Sequence, residues 1–366
     1  MEDEIKYYVA LSTHQKIGGR TFSKLYKRFK KLKNLWQASR KDIASAGVDL
    51  GQIEAIEEVI SKIDPADELR KLKKYGIDVL IFPDSKFPKL LKELPDPPGL
   101  LYIKGKILPQ DEIALAVVGS RKYSSYGARA VEEIVYPLAK NKLAIVSGLA
   151  LGIDAIAHRV ALEAKGRTIG VLGCGLDQIY PSTNIHLADK ILSSDGAIIS
   201  EFPLGMPAMK YNFPIRNRII AGMSLGTLII EGAADSGSLI TAQAAIEYNR
   251  EIFAVPGPIF SETSAGPNHL IQMGAKLVTS ANDILNELNI KTLADQVKAQ
   301  IVIPDSKEEE ILLNLLEKPT MVDILIRESK MEPALVNSTL VMLEMKGKIN
   351  NLGGTAYVIK GKLKEG

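Results

Sequence analysis

The 366-residue chain has a single cysteine, Cys174. A disulfide framework and a thiolate metal cluster are therefore excluded. Cys174 lies in the apolar run G-V-L-G-C-G, where a thiol reads as a small buried hydrophobe. An excess of one charge is also missing, since the formal net charge is only +3. The whole surface is no polyanion trap, so any anion site must be local. No apolar run approaches the ~18 residues of a membrane span. The start, M-E-D-E-I, carries no basic, apolar leader. The expectation is a cytoplasmic protein without membrane contact. No His/Cys/Asp cluster has metal-ligand spacing, and no grouped carboxylates suggest a metal-dependent nuclease. A Walker A sequence and a G-x-G-x-x-G fingerprint with a distal acid are both absent. No metal or cofactor is expected.

What is present is concentrated in residues 211–224, Y-N-F-P-I-R-N-R-I-I-A-G-M-S. An aromatic-proline step precedes two arginines that bracket an asparagine, and an apolar run follows. A flat ring, two guanidinium forks and an amide beside a helix start suit a partner that carries phosphates and bases. Lys210 precedes the segment in K-x-x-F spacing with Phe213. Phe213 could stack on a base, Lys210 could neutralise a phosphate, and Asn217 could read a base edge or brace the loop. The blander alternative makes Phe213 core and Arg216 and Arg218 surface charges.

The rest of the chain divides by pattern. Residues 1–64 read as helical, with Phe22, Leu25, Phe29, Leu32, Leu35 and Trp36 at helical spacing. The stretch I-G-G-R-T-F-S-K-L-Y-K-R-F resembles a helix-hairpin-helix (SAM-like) unit turned by Gly18 and Gly19. Such a unit serves for packing or partner contact, or holds a backbone phosphate. Asp64 and Pro65 read as the cap and first residue of a helix. Residues 65–288 alternate near-continuous apolar strands with helices expected at 128–139, 153–164, 183–192, 217–223 and 238–248. That pattern implies an α/β domain of Rossmann type, a doubly wound, mostly parallel sheet covered on both faces. Its ligands should lie outside the carboxyl ends of the strands. Residues 289–307 read as a linker. Residues 308–366 give three helical segments and a Gly353-Gly354 hairpin signal, the outline of a winged helix.

The strong motifs follow strands. V-V-G-S-R-K (117–122) offers a turn at Gly119, a hydroxyl and N–H at Ser120, and a fork at Arg121. S-G-L-A-L-G-I-D (147–154) sets Gly148 and Gly152 in a tight loop opening into a helix, a favourable place for an anion. Asp154 reads as a cap or loop brace. His158, one turn later, forms either a general-base pair with it or a structural hydrogen bond. G-C-G-L-D-Q-I-Y-P-S-T-N (173–184) is a cleft wall or a plain connection. Glu201 and Glu231, each after a strand, are either catalytic carboxylates or loop braces. Further helix starts and rigid loops come from E-G-A-A-D-S-G-S-L-I-T-A (231–242), V-P-G-P (255–258) and S-A-G-P-N-H-L-I (264–271).

Together G-S-R, S-G-L-A-L-G-I-D, F-P-I-R-N-R-I-I-A-G-M-S, E-G-A-A-D-S-G-S-L-I-T-A, A-V-P-G and G-P-N-H-L-I closely resemble the DprA/Smf family. The resemblance covers the Rossmann-like domain almost completely. It implies a non-enzymatic protein that binds incoming single-stranded DNA, shields it, forms a homodimer and helps load RecA in natural transformation. Carried over to this chain, the DNA pocket is Arg121, Lys210, Phe213, Arg216, Asn217 and Arg218, with Ser120 and the 148–152 loop, including Gly148, assisting with phosphate. The same core also resembles nucleotide-cleaving enzymes related to the LOG family, and Glu201 or Glu231 would then be catalytic. The presumed recognition helix, E-P-A-L-V-N-S-T-L-V-M-L-E-M-K, carries no positive charge before Lys346. That favours protein contact or dimer support over duplex reading.

Overall fold

A computed structural model describes residues 2–290, 301–316, 318–352, 355–359 and 362–363. Nine strands form one sheet: β1 (Asp78–Ile81), β2 (Leu100–Gly105), β3 (Ala114–Val118), β4 (Ala144–Ser147), β5 (Thr168–Leu172), β6 (Ala197–Ser200), β7 (Gly226–Ile229), β8 (Glu251–Ala254) and β9 (Lys276–Leu277). Their order is β1-β2-β6-β5-β4-β3-β7-β8-β9. Strands β3 to β9 pair in parallel, while β2 runs antiparallel to both β1 and β6 at one edge. Period-2 side-chain alternation divides the interior into two cores, one per sheet face. Leu101, Ile103, Ile199 and Val146 enter one cluster. Leu100, Tyr102 and Ile198 enter the other, joined by Tyr8, Leu25 and Ile56 from the N-terminal helices. The helical segment and the sheet thus form one compact unit, Met1–Leu288. Chain order reverses between β3 and β7, which leaves a crevice at their carboxyl ends.

The N-terminal helices are Glu2–Ser12, Gly19–Phe29, Arg40–Ala44 and Leu50–Lys62. Ser39 with Asp42, and Asp49 with Gln52, make reciprocal capping boxes. Asp64 caps the helix Pro65–Lys74 by accepting from Ala66 N. Among the described residues no helix is long and apolar enough to cross a membrane.

Asn289–Gly366 forms a second compact unit. Helices Lys307–Leu315, Val322–Ser329 and Pro333–Met345 close on Leu312, Leu325, Leu340 and Leu343. The strand Ala356–Ile359 pairs antiparallel with Thr320–Met321 and Ile349–Asn351. This is a winged helix. The Gly353-Gly354 turn and residues 291–300 of the expected linker lie outside the described residues.

One element differs from expectation in a way that matters for function. The helix expected at 217–223 begins five residues earlier, as Asn212–Gly222. Pro214 falls inside this earlier start. In the first turn its missing N–H breaks no hydrogen bond and its fixed φ suits the helix. Phe213 and Arg216 are consequently one turn apart on the same helix face.

Candidate nucleic-acid interface

The carboxyl ends of β3, β4 and β5 and the first turn of the helix Asn212–Gly222 meet around Phe213. The Arg121 guanidinium carbon lies 5.5 Å from the Phe213 ring centroid, and that of Arg216 lies 5.8 Å from it. The Tyr180 ring is 5.8 Å away at 31°. Phe213 is half-buried, while Arg121, Tyr180 and Lys210 are exposed. Arg121 and Lys210 pair with no carboxylate among the described residues. The site is therefore a partly open aromatic face flanked by free positive charge, an arrangement suited to stacking on a base next to a phosphate.

Arg216 is the buried support of this face. It is 4% exposed. Its Nη1 donates to Gly148 O at 2.6 Å and also to Val171 O, and its Nε donates to Asn217 Oδ1 at 3.0 Å. Burial pushes the guanidinium down to about 10, Asp154 opposes this, and Arg121 adds to it. Asp154 sits across Gly148 and accepts from Gly148 N at 3.0 Å. Its own burial raises its pKa, and Arg216 pulls it back. A Cβ on Gly148 would lie 2.7 Å from Arg216 Cζ and 2.7 Å from Asp154 Oδ2, so only glycine fits between them. Gly152 is equally constrained, with φ +80° and with Ser120 O 2.3 Å from where a Cβ would stand.

The expected anion donors are already engaged. Ser120 N donates to Glu231 O at 2.7 Å, and Ser120 Oγ donates to Lys122 O at 2.8 Å. Ser120 shapes the turn that carries Arg121 and offers neither group to a phosphate in this conformation. Gly148 N is likewise held by Asp154. Asn217 braces Arg216 and reaches Gly237 O at 3.4 Å. Arg218 points away from Phe213. It donates to Asp96 O at 2.6 Å and pairs with Glu201.

The two carboxylates weighed as catalytic are both occupied, Glu201 by Arg218 and Glu231 by loop groups. Glu231 is 2% exposed and accepts from Ser124 N at 2.9 Å, Ser124 Oγ at 2.6 Å and Thr263 Oγ1 at 3.1 Å. It ties the loops after β3, β7 and β8 into one rim. His158 bonds Thr168 Oγ1 at 2.7 Å and makes no pair with Asp154. Burial, then Arg216 and Arg159, hold it neutral with a pKa of about 3. Cys174 is fully buried, and burial raises its thiol to about 11. Among the described residues no three His, Cys, Asp or Glu side chains are grouped to hold a metal.

Tyr180 was missed by sequence reasoning. The available signal was its aromatic-proline step after a strand, Tyr180-Pro181, which repeats Phe213-Pro214. The same loop is fastened to the 148–152 loop by Asn184 Nδ2, which donates to Leu149 O at 2.9 Å and Ala150 O at 3.2 Å.

In the winged helix, the helix Pro333–Met345 has no Lys or Arg and shows Val341, Met342 and Met345 to solvent. Lys346 and Lys348 beyond it are each bound to Asp305 and Glu309 at 2.6–2.8 Å. Their charge is neutralised within the unit.

Comparison with known proteins bears out the family resemblance. Residues 78–289 match the family model of DNA recombination-mediator protein A, and residues 297–355 match the DprA winged helix domain. Protein Smf of Escherichia coli K12 is 42% identical over 283 residues, covering 75% of this chain and 76% of the relative. The structure of DprA from Streptococcus pneumoniae superposes with a TM-score of 0.66 at 39% identity, covering 77% of this chain and 96% of that one. DprA from Helicobacter pylori, whose structure addresses its single-stranded DNA binding mode, gives 0.52 at 31% identity over 58% of this chain and 95% of that one. With both of its units matched in this way, the chain belongs to the DprA/Smf family of DNA recombination mediators.

Proposed function

We propose that this protein binds single-stranded DNA without sequence preference at the carboxyl ends of β3–β5. The observation that carries the reading is the Phe213 ring, half-open between Arg121, Tyr180 and Arg216, with the exposed Lys210 three residues before it in the chain. Stacking tolerates any base, and the free cations supply phosphate attraction. Arg121, Lys210 and Phe213 touch the strand. Arg216, Asn217, Ser120 and Gly148 hold them in place. The single-strand binding described for the Helicobacter pylori relative supports this assignment. As a cytoplasmic homodimer, the protein shields incoming DNA and delivers it to RecA. The competing reading, nucleotide cleavage by Glu201 or Glu231, needs a carboxylate free for substrate, and both are engaged.

Two results are expected from titrating an oligonucleotide by fluorescence anisotropy across a salt series. Arg121→Ala and Lys210→Ala each weaken binding and reduce the slope of log K against log salt by ~0.7 for each phosphate no longer neutralised. Phe213→Ala costs roughly 1–3 kcal/mol of binding with the slope retained, because a ring contributes stacking and no counterion release. Wild-type affinity and slope in all three variants would sink the assignment.

A further inference from the structure

Eleven lysines and arginines fall within residues 5–41, and no aspartate or glutamate does. The whole chain carries only +3, so the rest of it is net negative. The helix Gly19–Phe29 concentrates this charge. It turns Phe22 and Leu25 into the core and leaves Arg20, Lys24, Lys27 and Arg28 exposed on the opposite face. Lys30, Lys31 and Lys33, all exposed, follow at its carboxyl end. Like charges at i, i+4 oppose helix formation, so Arg20, Lys24 and Arg28 are not placed for stability. Part of the charge is used locally. Lys24 donates to Gly47 O at 2.7 Å, and Arg28 donates to Ser45 Oγ at 2.8 Å and faces Asp42 at 3.8 Å. Glu4, which borders the far end, accepts from Leu32 N at 2.7 Å. Arg20, Lys27 and Lys31 are exposed and pair with no carboxylate among the described residues.

We propose that this face is a backbone track for nucleic acid, along which the strand held at Phe213 continues. The continuation rests on the single-strand reading above; the charge of the face does not. Among the described residues of 5–41, no large apolar side chain is exposed. The face therefore lacks the apolar inserts of a membrane-surface helix and the apolar centre of a protein interface. Free cations without apolar neighbours fit a partner whose charge repeats along its length, the phosphates of a nucleic acid. The track also starts beside the other site. Gly18 and Gly19, at the helix start, border the same hollow as Ile215 and Arg218 of the helix that carries Phe213. From there the 11 residues of the helix extend about 16 Å. The track supplies charge and counterion release, and stacking stays with Phe213.

The test uses the full-length protein carrying Arg20→Gln, Lys27→Gln and Lys31→Gln together. Glutamine keeps the helix propensity of the residues it replaces. A control of equal charge carries Lys140→Gln, Lys142→Gln and Lys165→Gln, three exposed positions before β4 and β5, at the other end of the strands from Phe213. Urea midpoints near that of wild type show that both variants fold. On an oligothymidylate of about 30 nucleotides, the track variant is expected to lower the slope of log K against log salt by about 2, ~0.7 for each of three phosphates. On one of about 6 nucleotides, short enough to be held at Phe213 alone, its slope matches wild type. Phe213→Ala weakens both lengths. An unchanged slope on the long strand overturns the track, and so does an equal fall in the control, which would reduce the effect to long-range charge. The same fall on the short strand overturns the continuation beyond Phe213. Lost binding to phosphatidylserine vesicles with the long-strand slope intact gives the face to a membrane and also overturns the track. A long-strand fall in the track variant with full affinity in Phe213→Ala supports the face as a nucleic-acid surface and sinks the Phe213 assignment instead.

Discussion

Arg216→Met is expected to lower folding stability by roughly 3–5 kcal/mol, the usual cost of removing one member of a buried charged network. Methionine keeps the length of the side chain and loses all its donors. The carbonyls of Gly148 and Val171 lose their guanidinium partner, and the buried Asp154 carboxylate loses the cation that faces it. Urea unfolding would show a lower midpoint with an unchanged slope. Asp154→Asn in the same background should recover part of the loss, because it removes the uncompensated charge while keeping an acceptor for Gly148 N. A loss below about 1 kcal/mol, or no recovery in the double variant, would contradict this account. Since Arg216 also lies against Phe213, single-strand affinity of the still-folded protein should fall with it.

Acid should unfold the protein partly through His158. Its folded pKa of about 3 lies below the ordinary 6.5. Between these values the unfolded chain binds a proton that the folded chain refuses. Stability from this group is complete above pH 6.5 and is lost as pH falls towards 3, on the order of 5 kcal/mol over the whole window. His158→Gln has no such proton to refuse. The stability gap between wild type and variant should therefore shift by about 2 kcal/mol between about pH 7 and pH 5, to the disadvantage of wild type at the lower pH. A gap that stays constant over this range would show that His158 titrates normally.

The extent to which these features were legible depended on the range over which residues act. Apolar runs such as I-A-L-A-V-V and T-I-G-V-L became β3 and β5 because a strand buried on both faces needs no polar alternation. β9 gave no such signal, with two exposed residues on an edge. The cap at Asp64 is local chemistry and was readable. The early start of the helix Asn212–Gly222 was not, because Pro214 is compatible with a turn and with a first helical turn alike. Arg216 and Arg218 look equivalent in R-N-R. Their fates are set by Val171 and Gly148 for one and Asp96 and Glu201 for the other, partners supplied by distant strands and loops. Pairing across such distances has no periodic trace in the sequence. Tyr180 joined Phe213 for the same reason.

The carboxylate of Glu231 has a thermodynamic consequence. By fixing Ser124 and Thr263 together, it holds the rim around the strand ends in one arrangement before anything binds. A flexible polymer meeting a preorganised edge gives up its own conformational freedom, and the protein gives up little. On the single-strand reading proposed above, the entropic cost of association then lies on the nucleic acid, and it rises with each nucleotide that must be immobilised.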